Sequence, residues 1–381
     1  MRRIQAEEFL GESRNSLLLD VRSPAEYNHA HIPGAVSFPL FTDEERRVVG
    51  TTYKQVSREA AIKTGLDYFG PKMRGMVESV EQLIVDRWPL AEEKTNNDQR
   101  LTNNVFVYCW RGGLRSGAVA WLLNLYGFNV TVLAGGYKAF RNLVLKSFEQ
   151  PYALKVLGGY TGSGKTELLH QLKEQGESVV DLEGLASHKG SAFGNINMPP
   201  QPTQEMFENL LSCELQALSC KQSLKERAQD GFGNATASHK RQTANLSIWL
   251  EDESQRIGSV NIPHALWQTM RQSPLYFVDV PFEERLKHIV EEYSQYDKEK
   301  LAAAIERIKK RLGGLEAKTA AQLLEEGKIE DCFAILLRYY DKQYSKGLHS
   351  RESLSSLLTK IECETVSVEN TTNLLRPQQT V

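Results

Sequence analysis

The sequence predicts two successive α/β domains, each built on a parallel sheet, followed by a helical C-terminal region. Three observations lead there. Short continuous apolar runs stand at 16–21, 105–108 and 129–133, as expected of strands covered on both faces. A second series of such runs restarts just after Pro151. Over 283–358 the spacing becomes mostly helical.

In the first series, the strand at 105–108 leads through a glycine-bearing loop into helical spacing at 116–126. A third strand follows at 129–133, with a turn at Gly135-Gly136. Strand, helix, strand is a right-handed α/β unit. Ser147, Glu149, Gln150 and Pro151 mark a junction. Beyond it, strands are expected at 155–157, 178–181, 248–250 and 275–280, with a helix over 166–174. The resulting boundaries are 1–146 for the first domain, 151–295 for the second and 296–368 for the helical region. The polar tail, 369–381, is expected to be disordered. The polar stretch 220–245 has little periodicity and is long for a loop.

Composition narrows the function. The 381 residues suit two or three domains. A formal net charge of −2 excludes a uniformly basic nucleic-acid coat and leaves room for local basic patches. Five cysteines with no C-x-x-C pair argue against a zinc site or a disulfide framework, and no metal-ligand set is assigned. There is no apolar run of signal-peptide length and nothing approaching the ~20 residues of a membrane span. A cytoplasmic protein with no membrane partner is expected, in a reducing setting where a lone thiol stays available.

One of the five cysteines stands out. Cys109 follows a strand, and Trp110, Arg111, Gly112, Gly113, Leu114 and Arg115 run from it into a helix. Backbone N–H groups and a helix N-terminus there favour a thiolate and bind anions. Cys109 is therefore the expected catalytic group, and Trp110, Arg111, Gly112, Gly113 and Arg115 the anion-binding loop. Cys213, Cys220, Cys332 and Cys363 read as small buried hydrophobes.

In the second domain, Gly159-Tyr160-Thr161-Gly162-Ser163-Gly164-Lys165-Thr166 fits G-x-x-x-x-G-K-[ST] between a strand and a helix. Gly159, Gly162, Ser163, Gly164, Lys165 and Thr166 are the expected phosphate-binding residues, and Thr166 can ligate Mg²⁺. Asp181 and Asp279 end later strands, as acidic partners of a metal or of a leaving phosphate or as plain strand-end caps. Glu251, Glu253, Ser254 and Arg256 belong to a cluster at another strand end, whose plainer reading is a solvated charge run.

Leu19-Asp20-Val21-Arg22-Ser23-Pro24-Ala25-Glu26-Tyr27, His31-Ile32-Pro33-Gly34-Ala35 and Gly135-Gly136-Tyr137, with the cysteine loop, resemble the rhodanese family. Asp20, Arg22, Glu26 and His31 read first as a hydrogen-bond network supporting that loop. Arg115 stands six residues after Cys109, one more than in many sulfurtransferases of that family. That C-x5-R spacing resembles the rhodanese-fold phosphatases, and a wider pocket equally suits selenium. The expected fold is thus a rhodanese-like parallel-sheet domain, a P-loop NTPase-like α/β domain and a helical C-terminal region.

A rhodanese domain upstream of a P-loop domain is a narrower pattern. Together with Glu251-Asp252-Glu253-Ser254, Arg256-Ile257-Gly258, Tyr339-Tyr340-Asp341 and Tyr344, it resembles the bacterial tRNA 2-selenouridine synthase family over residues 1–350. Further matching runs are Asp181–Ser191 and Gln201-Pro202-Thr203-Gln204. The resemblance implies conversion of a wobble 2-thiouridine in the tRNA anticodon region to 2-selenouridine. Selenophosphate would be the selenium donor, supplied by its source enzyme. Geranyl diphosphate would make an S-geranyl intermediate, with Cys109 carrying selenium and no tightly bound cofactor. Lys298, Lys300, Arg307, Lys309, Lys310 and Arg311 offer basic surface for tRNA, or simply a solvated helix face. The competing readings are a sulfurtransferase or C-x5-R phosphatase fused to an ATP-dependent P-loop kinase or NTPase. A non-catalytic persulfide carrier is a third.

Overall fold

The computed structural model describes residues 1–87, 103–229 and 247–375, without the side chains of 220–229. The chain divides into two compact units, Met1–Ser147 and Phe148–Val381.

The first unit carries a five-stranded sheet of β1 (Arg2–Ile4), β2 (Leu17–Asp20), β3 (Val36–Ser37), β4 (Asn104–Tyr108) and β5 (Asn129–Leu133). Its order is β1-β5-β4-β2-β3, with every pairing parallel. The three strands expected from apolar runs are β2, β4 and β5. The other two have three and two residues, too short for a pattern to show. β4 is central, and Val105, Val107 and Tyr108 are fully buried in it. Helix Leu114–Tyr126 follows β4, and helix Gly136–Ser147 follows β5. Three helices, Asp43–Gln55, Arg58–Phe69 and Met73–Arg87, lie in the described part of the long connection after β3. The first is started by a capping box: Thr42 Oγ1 accepts from the Glu45 N–H, and the Glu45 carboxylate accepts from the Thr42 N–H.

The second unit has a sheet of β6 (Leu154–Gly159), β7 (Ser178–Val179), β8 (Ile248–Glu251), β11 (Leu275–Asp279) and β12 (Leu358–Glu362). Between β8 and β11 lies a small antiparallel pair, β9 (Arg256–Ile257) and β10 (Val260–Asn261). The large sheet is parallel, in the order β12-β11-β6-β8-β7. β6 is therefore central, and the loop at its carboxyl end emerges between β8 and β11. Open parallel sheets bind ligands at such a carboxyl edge. The helical region packs its own apolar core, where Leu301, Ile305, Ala320, Phe333 and Leu336 are buried together.

Besides the short strands β1, β3, β9 and β10, which were not expected, the structure departs from expectation in three places. The strand expected over 178–181 stops at Val179, because Asp181 caps helix Leu182–Ala186 by accepting from the Gly184 N–H at 2.7 Å. β12 was not expected; it is an edge strand in which Ile361 alone is buried, so its apolar signal is weak. Order also continues past residue 369. Thr371–Leu375 is helical, Thr371 and Leu374 are buried, and Gln175 Nε2 donates to Thr371 Oγ1 at 3.3 Å. The 220–245 stretch begins as the end of helix Gln204–Gln229. Its later part lies outside the described residues, as does the chain after 375.

Candidate functional sites

Cys109 comes directly off β4, and two backbone bonds fix the loop after it. The Tyr137 N–H donates to Cys109 O at 2.8 Å, and the Lys138 N–H to Trp110 O at 3.0 Å. This close approach needs glycine. A Cβ on Gly136, at φ +60°, would lie 2.3 Å from Cys109 O. One on Gly112, at φ +64°, would lie 2.5 Å from Leu133 O. Gly113 opens helix Leu114–Tyr126, so the loop ends at a helix N-terminus as expected.

The Cys109 thiol is buried, with Sγ 3.2 Å from Ser116 Oγ. Burial pushes its pKa up. Hydrogen bonds from the Ser116 hydroxyl and backbone N–H, the charge of Arg115 and the Arg111 N–H outweigh that, and the net direction is downward. Two other cysteines differ: burial pushes Cys332 up to about 11 and Cys363 upward too. Cys213, expected to be buried, is half-buried.

Arg115 Nη1 donates to Glu26 Oε2 at 2.6 Å, and Arg46 stands 3.5 Å from the same oxygen. Glu26 thus belongs to the cysteine loop. Asp20 and Arg22 form a structural network behind it. Arg22 is buried, donates to Asp20 and to Ala30 O, and stacks its guanidinium 3.9 Å from the Tyr137 ring centre. Tyr108 Oη donates to Asp20 at 2.8 Å. His31 Nδ1 lies 3.0 Å from Tyr27 O. Trp110 and Arg111 are exposed on the loop, the Trp110 ring centre 5.7 Å from that of Tyr137.

In the second unit the glycine loop leaves β6 and opens helix Lys165–Glu174, with Gly162 at φ +81° and Gly164 at φ +72°. A Cβ on Gly162 would lie 2.8 Å from Ile289. Lys165 Nζ donates to Gly159 O at 3.0 Å, and Thr166 Oγ1 to Glu183 Oε2 at 3.1 Å. Arg285 braces the loop from outside. It is buried, donates to Thr161 O at 3.0 Å and forks onto Asp341 at 2.9 and 2.8 Å. Tyr344 Oη accepts from the Gly159 N–H at 3.2 Å and donates to Asp252 at 2.7 Å, and Arg351 also pairs with Asp252.

The loop forms one wall of a cavity of about 660 Å³. The sequence-predicted acidic residues fall into separate places around it. Asp252, Glu253, Ser254 and Gln255 line it, although Ser254 Oγ also donates to Arg256 O. Glu251 lies behind the wall, 1% exposed, with one oxygen accepting from the Leu182 N–H and the other unpartnered. Burial, reinforced by Asp181 and Glu183, pushes its carboxyl well above the usual range. Asp181 faces the Gly184 N–H and His170 rather than the cavity. Arg256 is exposed and turned onto Gly258 O. Asp279 pairs with Lys360. Glu253 is pushed up to about 8, by burial first and the Glu183 charge second.

Several residues in or around the cavity were missed from sequence. Glu183 and Lys189 lie in the quoted run 181–191 but carried no separate signal. Arg285 and Arg351 are single charges in helical or turn sequence whose burial only folding reveals. Asp341 and Tyr344, three apart on one helix, entered only through the family resemblance, without a role. The rest of the lining mixes apolar and aromatic side chains, Trp267, Ile289, Tyr293, Tyr340 and Leu348, with Arg271, His288, Glu292, Arg311 and Gln343. Thr161, Ser191, Ile289, Tyr293 and Tyr340 also line a smaller neighbouring cavity with Phe193, Phe333 and Leu337.

The basic helix is partly spent on local contacts. Arg307 donates to Ala192 O and Asn195, Lys300 to Asn197, and Lys309 pairs with Glu306. Arg311 lines the cavity, and Lys298 and Lys310 are exposed. Among the described residues no group of three or more His, Cys, Asp or Glu could hold a metal ion. No helix among them is long and apolar enough to cross a membrane.

Comparison with known proteins matches each unit. A family model described as the tRNA 2-selenouridine synthase AAA domain matches 152–228 and 221–367, and one for the rhodanese-like domain matches 5–67 and 75–143. A tRNA 2-selenouridine synthase of Shewanella frigidimarina is 33% identical over 370 residues, covering 89% of this chain and 90% of its own. That of Hydrogenovibrio crunogenus is 32% identical over 370 residues, covering 89% and 91%. Among solved structures, the N-terminal domain of a protein from Clostridium difficile 630, titled a putative ATP/GTP binding protein, is 36% identical. It covers 37% of this chain and 98% of its own, with a TM-score of 0.32.

Proposed function

The chain belongs to the tRNA 2-selenouridine synthase family, and from that premise we propose that its two sites divide one tRNA modification between them. It is a tRNA-modifying transferase that converts wobble 2-thiouridine to 2-selenouridine with selenophosphate. The P-loop unit alkylates the sulfur with geranyl diphosphate. The rhodanese unit then replaces the geranylthio group with selenium carried on Cys109. The logic is chemical. A thiocarbonyl carbon is a poor electrophile, and alkylating its sulfur makes a good leaving group. The place of action is the cytoplasm, with the anticodon region of tRNA as the partner surface.

One observation carries the prenyl reading: the diphosphate-type loop and the apolar or aromatic side chains of Trp267, Ile289, Tyr293 and Leu348 line one cavity. Loop N–H groups and Lys165 suit a diphosphate, and those side chains suit a hydrocarbon tail. An Mg²⁺ bound with the diphosphate would find the Thr166 hydroxyl as its protein ligand and would neutralise leaving-group charge. The phosphatase reading is disfavoured because Arg115 is already paired with Glu26 and the P-loop would have no task. The kinase reading leaves Cys109 without one. The test is competition against a fluorescent nucleotide. Displacement by geranyl diphosphate is expected. Turnover of ATP with no recognition of geranyl diphosphate would overturn the prenyl reading.

A further inference from the structure

S-alkylation of a 2-thiouracil has a proton to dispose of. As the sulfur–carbon bond forms at the allylic carbon of the prenyl diphosphate, the carbon–oxygen bond breaks and its electron pair leaves with diphosphate. The neutral product has a C2=N3 double bond, so the N3–H bond must break and its proton must go to a base. This requirement rests on the prenyl reading and holds only with it.

The cavity holds few carboxylates free for that task. Glu183 accepts from Thr166, and Asp252 is engaged by Tyr344 and Arg351. Glu292 pairs with Lys189. Glu251 and Asp181 are outside the cavity wall. Glu253 remains. It lines the cavity beside the P-loop, and no side chain among the described residues donates to its carboxylate. Its position is built in, since a Cβ on Gly190 would lie 2.8 Å from both its carboxylate oxygens. Gly190 is at φ +62°, so glycine is favoured there on two counts.

We propose that Glu253 is the catalytic base that takes the N3 proton of the thiouracil while its sulfur is alkylated in the P-loop cavity. Its carboxylate oxygen gains the proton, and the N3–H pair becomes the second bond of C2=N3. The charged groups facing it fit the task. Burial and Glu183 raise its proton affinity to about 8, Asp252 adds to this, and Lys165 opposes it. A base works best with a pKa near the working pH, and general-base catalysis contributes about 100- to 10,000-fold.

The experiment is S-geranylation of a 2-thiouridine tRNA by the full chain from pH 7 to 9, with binding of geranyl diphosphate measured in parallel. Glu253→Gln should bind geranyl diphosphate as the wild type does and geranylate at least about 100-fold more slowly at pH 7. Its deficit should shrink toward pH 9, where the thiouracil N3–H begins to ionise unaided. Glu253→Asp should keep part of the rate, and it carries the test if the Gln variant does not bind the diphosphate. A wild-type rate in either variant at pH 7, or a deficit unchanged by pH, overturns the assignment to Glu253 alone. Failure of the wild type to bind geranyl diphosphate overturns the prenyl reading, and this inference with it.

Discussion

Arg115 and Glu26 share a 2.6 Å hydrogen bond, although 89 residues separate them along the chain. The last arginine of the cysteine loop is thereby fixed to helix Pro24–His29, with both side chains mostly shielded from water. The pair orients the arginine whose charge favours the Cys109 thiolate.

Removing the acid should therefore loosen the first unit. Glu26→Gln is expected to cost about 1.5–3 kcal/mol in denaturant unfolding, the usual worth of a hydrogen bond to a charged group. Burial pulls the Glu26 carboxyl up, but the Arg115 bond and charge prevail and hold it low. A depressed acid contributes stability above its unfolded value and loses it as pH falls through its folded one. The gap between wild type and variant should thus close on acidification below the ordinary carboxylate range. A gap constant with pH would contradict the pairing.

Ser116→Ala should raise the thiol pKa of Cys109, since the hydroxyl is the strongest of the groups lowering it. The midpoint of alkylation rate against pH measures this, and an unmoved midpoint would count against the Ser116 contact. Cys109→Ala should stay folded and, given geranyl diphosphate and selenophosphate, accumulate geranylated tRNA. Nucleoside mass spectrometry showing normal 2-selenouridine would refute the carrier role.

Lys165→Ala should leave 2-thiouridine unmodified yet still convert tRNA that is already geranylated. Loss of a charged hydrogen bond to phosphate weakens diphosphate binding by about 1.5–3 kcal/mol. If the pre-geranylated substrate also requires Lys165, the two sites do not divide the reaction as proposed.

Arg285→Ala removes the brace under the P-loop and leaves Asp341 without its fork. Breaking a buried pair from one side costs about 3–5 kcal/mol, so the thermal unfolding midpoint of the second unit should fall markedly. Arg285→Lys should not restore it, because a lysine cannot reach Thr161 O and both Asp341 oxygens in one plane. Recovery by lysine would show that charge alone suffices.

The strands β2, β4, β5, β6, β8 and β11 were legible because a strand buried on both faces is a contiguous apolar run. The two phosphate- or anion-type loops were legible because each needs glycines and a helix start within a few residues. The short strands β1 and β3 and the edge strand β12 were not, since their hydrogen bonds come from distant partners and few of their side chains are buried. The order beyond residue 369 was hidden for the same reason: a polar segment held by Leu374 and one bond from Gln175 has no pattern of its own.

By itself, then, the sequence determined where Cys109 and Lys165 stand, each at the turn from a strand into a helix, because that backbone geometry is encoded locally. Only the tertiary structure decided among the carboxylates. Glu251 and Glu253 are two residues apart, yet one lies behind the cavity wall and the other lines it. It likewise decided that Arg115 meets Glu26 and that Arg285 meets Asp341, 56 residues away. Whether a charge is paired, buried or facing a ligand depends on which distant segments pack against it. That is a property of the folded chain, which spacing along the sequence does not contain.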